Sequence, residues 1–234
     1  MKAGGTISHN IVSLYTRFDA EGSRSVVKFG SWDPTGVKAG EHLTMIKTRD
    51  TTSWALKPEK LSVGAPKDGE DSDATAAERL LPDAYKVFLE PSLRHVYIPS
   101  REWAWFRDAI KAKWDEALAG SGFGYTCDAR ACAVKKGCDA VKEAMAKNGR
   151  SLTLSFGLTD SAGGVFEVTL DQDDVFVAGD HVIDKYYRGY CLATVFGNSI
   201  ADSENHIYLG HSLLAKYYVV YDATPMDEFG QDFL

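Results

Sequence analysis

Residues 87–106 read VFLEPSLRHVYIPSREWAWF, and the second half of this stretch opens the clearest helix pattern in the sequence. From Ser100 to Ala119, apolar side chains recur at the spacing of one helical face, at Trp103, Phe106, Ile110, Trp114 and Ala117. Ser100 is a candidate N-cap, and Gly120 ends the pattern. A shorter helix is predicted from Asp139 to Lys147, before Asn148-Gly149. The sequence therefore predicts one amphipathic helix near 100–119 and a second near 139–147.

Outside these helices, most of the sequence is typical of short β-strands joined by turns rich in Gly and Asp. Two hairpins are predicted, one from residues 10–18 and 25–30 around DAEGSR, and one from residues 151–158 and 165–170 around TDSAGG. Further strands are predicted at residues 54–63, 174–176, 190–196 and 215–221. The acidic stretch Pro66–Asp83 is predicted to be an exposed loop. The pattern indicates a mainly β fold, a barrel or sandwich of short antiparallel strands, rather than βαβ units.

Composition excludes two classes of partner. The chain has 234 residues with 26 Lys and Arg against 33 Asp and Glu, so its net charge is −7. Binding to a nucleic-acid backbone needs a concentrated basic face, and none is expected here. No apolar run has the roughly 18 residues that a membrane span needs, and the N-terminal stretch lacks the apolar core of a signal peptide. We therefore expect a folded protein that binds no nucleic acid and does not span a membrane.

The four cysteines are Cys127, Cys132, Cys138 and Cys191. Their spacing does not match paired zinc ligands, so disulfides or free thiols are the expectation and no metal is predicted. Disulfides imply a secretory or extracellular compartment, whereas the sequence begins without a signal peptide. This conflict suggests an N-terminus that was processed off or was never part of the gene model. Four cysteines allow three pairings, and the sequence does not choose between them.

Several segments, taken in order, resemble the C-terminal lobe of pepsin-like aspartic peptidases. Residues 87–106 are similar to the family's second active-site segment, in which a strand enters Asp-Thr-Gly and is followed by Leu-Tyr-Leu-Pro and a helix. SVVKFGSWDPTG at residues 25–36 and Ser53-Trp54 followed by LSVG resemble earlier landmarks of the lobe. YLGHSLLAKYYVVYD at residues 208–222 resembles its closing motif. The resemblance covers roughly residues 10–230 and implies a single pepsin-like lobe, one domain over residues 1–234.

The resemblance places Glu90 at the position of the family's catalytic Asp, with Pro91, Ser92, Leu93 and Arg94 in place of Thr-Gly-Thr/Ser-Ser. The extra methylene of Glu moves the carboxylate by about 1 Å, a shift that costs roughly 10²-fold in a preorganised site. Pro91 lacks both an N–H and a hydroxyl, and Leu93 lacks the hydroxyl that bonds the carboxylate. The loop is therefore predicted to be degenerate, with Glu90 either inactive in place or an ordinary loop carboxylate, paired with Arg94 in a local salt bridge.

Downstream, Leu209-Gly210 keeps the hydrophobic-Gly step that packs beside the active-site loop in this family, but His211 stands where the family has Asp. The resemblance also implies that Cys191 pairs with an earlier cysteine, either Cys127 or Cys138, and in the first case Cys132 would pair with Cys138. The longer of the two loops should give the more stabilising bridge.

Two functions follow from the resemblance. The first is a non-catalytic pepsin-like lobe, a pseudoenzyme, that acts as a structural or binding subunit of a protein complex. A lone lobe exposes apolar and strand-edge surface, so another protein chain is the expected partner, either an N-terminal pepsin-like lobe or a larger complex. The alternative is half of an aspartic endopeptidase whose other lobe is missing or on another chain, with Glu90 facing an Asp during proteolysis. Neither hypothesis requires a cofactor.

Overall fold

The computed structural model describes residues 9–15, 26–34, 37, 40–46, 48–49, 53–65, 76–181, 185–198 and 205–223. The strands in chain order are β1 (Ile11–Tyr15), β2 (Val26–Phe29), β3 (Pro58–Gly64), β4 (Ala77–Leu80), β5 (Lys86–Leu89), β6 (Val96–Pro99), β7 (Tyr125–Cys127), β8 (Cys132–Val134), β9 (Thr153–Thr159), β10 (Val165–Leu170), β11 (Phe176–Ala178), β12 (Cys191–Ala193), β13 (Val195–Asn198), β14 (His206–Leu209) and β15 (Val219–Asp222). The helices are α1 (Ser100–Ala117), α2 (Cys138–Lys147), α3 (Gln172–Val175) and α4 (His211–Leu214). Strand residues outnumber helical residues, which confirms the mainly β prediction.

Within the described ranges the strands form four open sheets and no closed barrel. The chain divides into two compact units, one of Met1–Leu43 with Leu214–Leu234 and one of Thr44–Leu213. A single domain over residues 1–234 stays a prediction, because a division into compact units does not determine whether the chain folds cooperatively.

The first unit contains a three-stranded antiparallel sheet in the order β15–β1–β2. The predicted hairpin is confirmed, since β1 pairs with β2 in a register that sets Val12 opposite Phe29. The last strand is shorter than predicted and begins at Val219. β2 is an edge strand whose apolar side chains are about half exposed, with 51% for Val26, 52% for Val27 and 58% for Phe29.

The second unit is organised around the sheet β13–β6–β14–β5. β14 lies between β5 and β6, although β5 and β6 are consecutive in the chain. Two of the pairings, β5 with β14 and β6 with β13, are parallel, so the prediction of an antiparallel fold throughout is wrong. The residues that join β5 to β6 must therefore pass over the end of β14.

A second sheet, β10–β9–β3–β4, is antiparallel, and the predicted hairpin of β9 and β10 is confirmed. The predicted loop at residues 66–83 is wrong over residues 77–80, which form the edge strand β4 and pair with β3. Three of the four β4 side chains are exposed, which explains the misleadingly polar pattern. The remainder of that prediction, residues 66–75, lies outside the described residues.

Helix α1 buries the predicted face, Trp103, Phe106, Ile110, Trp114 and Ala117. The N-cap is Pro99 rather than Ser100, and no side chain caps this end. The helix ends at Ala117, two residues earlier than predicted. The N–H of the next residue, Leu118, donates to the Trp114 carbonyl and completes the last turn. α2 starts one residue before its predicted position and ends at Lys147 as predicted, and Gly149 follows with a positive φ of 59°.

The third sheet of the second unit, β11–β12–β8–β7, carries both disulfides. Cys127 pairs with Cys132 across the β7–β8 hairpin, and Cys138 at the start of α2 pairs with Cys191 in β12. Of the two partners considered for Cys191, Cys138 is therefore correct and Cys127 is wrong. No helix in the described ranges has the length and apolarity to cross a membrane.

The strand predicted at residues 174–176 is largely wrong, because α3 occupies Gln172–Val175 and β11 begins only at Phe176. The cause is local capping, since the Asp171 carboxylate accepts a hydrogen bond from the Asp173 N–H and starts the helical turn.

Asp128 organises the turn of the β7–β8 hairpin. Its Oδ1 accepts the N–H groups of Arg130 and Ala131 at 2.6 and 2.9 Å, and its other oxygen accepts the Tyr187 hydroxyl. Burial alone would raise the pKa of Asp128, but the Tyr187 hydroxyl and the two backbone donors outweigh burial and hold this pKa below its ordinary value. The ionised carboxylate is thus the form that fits the turn.

Candidate functional site

We call residues 90–94, between β5 and β6, the Glu90 loop. The Glu90 N–H donates to the carbonyl of Leu209 at 3.0 Å, so the loop leaves the sheet at the end of β14. The Leu93 N–H then donates back to the Glu90 carbonyl at 3.0 Å, which closes a tight turn. The insertion of β14 between the two flanking strands sets the position of the loop.

Gly210 allows the chain after β14 to cross the Glu90 loop. A Cβ at this position would lie 2.0 Å from the carbonyl oxygen of His95 and 2.7 Å from that of Leu93. Immediately after it, the His211 N–H donates to Leu93 at 2.6 Å, and the Ser212 N–H donates to Arg94 at 3.0 Å. The structure thus brings Leu209-Gly210 beside the loop, as the resemblance implied, and only glycine fits at the crossing.

The Glu90 side chain turns back onto its own loop. Its Oε1 accepts the Ser92 hydroxyl at 2.7 Å and the Ser92 N–H at 3.2 Å. No ion pair joins Glu90 to Arg94 in the described part of the chain, so the predicted local salt bridge is absent there. Pro91, Ser92 and Arg94 are exposed, whereas Glu90 and Leu93 are half-buried.

Behind the loop lies a buried polar group that the sequence did not single out. His95 is 6% exposed and its ring lies 4.9 Å from the ring of Phe196. Its Nδ1 lies 3.5 Å from the hydroxyl of Thr194, which donates to Ser212 at 3.2 Å. Burial, helped by the positive charge of Arg94, lowers the pKa of His95 to about 4. His95 is therefore neutral at ordinary pH.

His211, at the family's second Asp position, is half-buried beside the same loop. Burial lowers the pKa of His211, and the charge of Arg94 lowers it further. The surroundings of the Glu90 loop therefore hold two imidazoles and a guanidinium. A proton-sharing pair of carboxylates needs a second acid, and among the described residues the hydrogen-bond partner of the Glu90 carboxylate is Ser92 alone.

A second buried carboxylate, also missed from the sequence, anchors α1. Glu102 is 1% exposed, and its two oxygens accept the Arg79 Nε–H and the Tyr85 hydroxyl, each at 2.9 Å. Arg101 donates to the same hydroxyl at 2.8 Å. Glu102 precedes Phe106 by four positions on the buried face of the helix, and that spacing was the signal available in the sequence. These bonds join the first turn of α1 to β4 and to the residue before β5.

Within the described ranges, no group of three His, Cys, Asp or Glu side chains is arranged to hold a metal ion. Comparison with protein-family models finds no match, and comparison with curated proteins also finds none.

Proposed function

We propose that this chain is a non-catalytic lobe of the pepsin-like aspartic-peptidase family and acts as a structural or binding subunit in a protein assembly. The family assignment is supported by the sequence landmarks and by the crossing of Gly210 beneath the Glu90 loop. The function is supported by the chemistry of that loop.

The observation that carries the proposal is the internal bonding of Glu90. A catalytic carboxylate must direct its oxygens to a water and to an opposing acid. In this chain Oε1 accepts two hydrogen bonds from Ser92, two positions along the same loop. In a catalytic pair, repulsion between two carboxylates keeps one protonated as the acid and leaves the other ionised as the base. The described groups that border the Glu90 loop are imidazole and guanidinium groups, and these cannot supply that repulsion.

The edge strand β2 is the surface that we assign to the partner. Its outer side has no paired strand in the described part of the chain, so its backbone groups are available to another chain. Val27 and Phe29 project to one face of the strand and Val26 to the other, and each is at least half exposed. An edge with apolar side chains on both faces fits a β-strand of a protein partner better than a small solute.

The two disulfides support a secretory or extracellular location, which forms part of the proposal.

Peptidase activity provides the first test. Protein purified from its native source in its assembled state should not cleave denatured haemoglobin between pH 3 and 6 above the rate of the Glu90→Gln variant. Cleavage that a pepstatin-type inhibitor blocks and that Glu90→Gln abolishes would overturn the proposal in favour of a half-peptidase.

Association provides the second test, and the chain offers a matched control. Val27 in β2 and Val165 in β10 are both edge-strand valines with 52% exposure. Sedimentation of the natively expressed protein should give a mass above the 25.7 kDa of one chain. Val27→Glu should return the protein to that mass, whereas Val165→Glu should not. A monomeric wild type, or equal effects of the two variants, would contradict the proposed surface.

A further inference from the structure

Three of the four cysteines lie on one face of the sheet β11–β12–β8–β7. Cys127 is directly opposite Cys132 in the β7–β8 hairpin, and Cys191 in β12 is directly opposite Val134 in β8. Alternate residues of a strand point to the same face, so Cys132 and Val134 share one face with the residues opposite them. Cys132 and Cys191 are therefore diagonal neighbours on adjacent strands, although they belong to different disulfides.

Each bridge joins an inner cysteine to an outer one. The inner pair, Cys132 and Cys191, is fully buried, whereas the outer pair, Cys127 and Cys138, is half-buried. An external thiolate reaches an outer cysteine first, and its attack there expels the inner cysteine as the leaving thiolate. Opening of either bridge thus releases an inner thiol next to the inner sulfur of the other bridge.

Helix α1 covers the face of the sheet that carries these cysteines. The Trp114 ring lies 5.6 Å from the Tyr125 ring on β7 and 6.5 Å from the Phe176 ring on β11. Tyr125 is opposite Val134 and Phe176 is opposite Ala193, so both rings point to the face of the inner pair. An inner thiol is therefore shielded from external reagents, whereas the inner sulfur of the other bridge is its neighbour.

The surroundings of the released thiols give the exchange a direction. Cys132 is buried, and burial disfavours a thiolate. Cys138 is the first residue of α2, and no side chain caps this end of the helix. Free N–H groups and the positive end of the helix dipole favour a thiolate there. The charges adjacent in sequence, Lys135, Lys136 and Asp139, are net positive and act in the same sense. Exchange that expels Cys138 is therefore favoured over its reversal.

We propose that the four cysteines form one thiol–disulfide exchange site for a dithiol donor, in which reduction leaves a Cys132–Cys191 disulfide and two accessible thiols, Cys127 and Cys138. The donor thiolate bonds to the Cys127 sulfur and breaks the Cys127–Cys132 bond. The Cys132 thiolate then bonds to the Cys191 sulfur and expels Cys138, which takes up a proton. The second thiol of the donor displaces Cys127, so the donor leaves as a disulfide, oxidised by two electrons. Attack at Cys138 gives the same product in the opposite order.

The exchange requires a small movement of β8. Diagonal neighbours in a sheet lie about 7–8 Å apart between their Cα atoms, and a disulfide spans up to roughly 7 Å. β8 has three residues, and the Cys127–Cys132 bridge links it covalently to the edge strand β7. Opening of this bridge removes that link and permits the shift of about 1 Å that the new bond needs.

Two single-cysteine variants test the exchange without a reductant. Cys127→Ala leaves the inner thiol of the short bridge, and Cys132→Ala leaves the outer one, so both variants lose the same disulfide. The full chain is incubated at pH 8, quenched in acid, labelled with N-ethylmaleimide and mapped by mass spectrometry of its linked peptides. Most Cys127→Ala molecules should carry a Cys132–Cys191 link and a label on Cys138. In Cys132→Ala the label should stay on Cys127, because β8 separates β7 from β12 by two strand spacings, about 10 Å.

A label that stays on Cys132 in the Cys127→Ala variant would overturn the proposal. Equal exchange in the two variants would also overturn it, because the position of the inner pair would then be irrelevant.

The wild-type chain provides a second readout that does not depend on the folding of a variant. Less than one equivalent of dithiothreitol at pH 8 should give equal labelling of Cys127 and Cys138, together with the linked Cys132–Cys191 peptides. Labelling of both cysteines of one original bridge, or resistance of both bridges to the reductant, would contradict the exchange. The same treatment in concentrated urea should give mixed pairings, and an unchanged product there would show that the sheet plays no part. Neither peptidase activity nor association enters these tests, so they are separate from the tests of the proposed function.

Discussion

The two disulfides allow a matched measurement of how much a covalent link stabilises this fold. The Cys127–Cys132 bridge spans a sequence separation of 5 and the Cys138–Cys191 bridge a separation of 53. Each bridge joins one fully buried cysteine to one half-buried cysteine. Replacing both cysteines of either bridge with alanine therefore removes similar packing, and the loops differ in length.

The expected magnitude comes from the entropy that each link removes from the unfolded chain. Loop closure over a separation of 5 gives about 2 kcal/mol, and closure over 53 gives about 4 kcal/mol. The packing losses are similar and largely cancel in the comparison. The Cys138→Ala/Cys191→Ala variant should therefore lose about 2 kcal/mol more stability than the Cys127→Ala/Cys132→Ala variant.

Equilibrium urea unfolding at pH 7, followed by far-UV circular dichroism, measures both losses. The slope of the free energy of unfolding against urea concentration should increase when the Cys138–Cys191 bridge is removed, if the unfolded state becomes more expanded. Equal losses, or a larger loss on removal of the short bridge, would show that native packing rather than unfolded-state entropy determines the contribution of these bridges.

Three further substitutions test the described contacts. Gly210→Ala should lower the free energy of unfolding, measured by urea titration, by about 3 kcal/mol. The reason is that the new methyl group would lie 2.0 Å from the backbone carbonyl oxygen of His95. Glu102→Gln should lower it by about 2 kcal/mol, because a buried charged acceptor facing Arg79 is lost. Asp128→Asn should lower the melting temperature at pH 7. The folded pKa of Asp128 lies below its ordinary value, so this stabilisation is fully present above the ordinary value and is lost as pH falls through the folded one. The difference in melting temperature should therefore shrink as calorimetry is repeated at progressively lower pH.

Each substitution has a control. Gly137→Ala adds a methyl group that meets nothing within 4 Å, so an equal loss in the two glycine variants would contradict the crossing. Glu143→Gln alters an exposed carboxylate in α2 whose ion pair with Lys147 is also exposed, so it should have little effect, and a comparable loss there would contradict the role of Glu102. A pH-independent effect of Asp128→Asn would contradict the carboxylate's part in the turn.

The features that could be predicted from the sequence are those that depend on local spacing. The apolar face of α1 and the pairing of β9 with β10 follow from side-chain periodicity and adjacent turns. The resemblance left two partners for Cys191, and the observed partner, Cys138, is one of them. The predicted boundaries of α1 differ from the observed ones, because Pro99 is the N-cap and no side chain caps this end, and because Leu118 is the C-cap, two positions before Gly120.

The features that could not be predicted depend on partners distant in the chain. β4 looks polar because it is an exposed edge strand, and its pairing with β3 is not visible locally. The insertion of β14 between β5 and β6 depends on residues more than a hundred positions apart. The resemblance supplied the expectation that Gly210 packs beside the loop. The bond between Glu90 and Ser92 and the burial of His95 and Glu102 are tertiary facts, and residue type alone suggests exposed side chains at those positions.

The position of β14 also affects how the chain matures on the ribosome. β5 and β6 leave the exit tunnel well before β14 is translated, and at 5–20 residues per second the interval is on the order of ten seconds. During that time the side of β5 that pairs with β14 has no native partner, although Val87 can already pair with Leu56, and the long sequence separation slows the later closure of the sheet. A nascent chain of this design therefore exposes an unpaired strand edge on β5 until β14 has been synthesised.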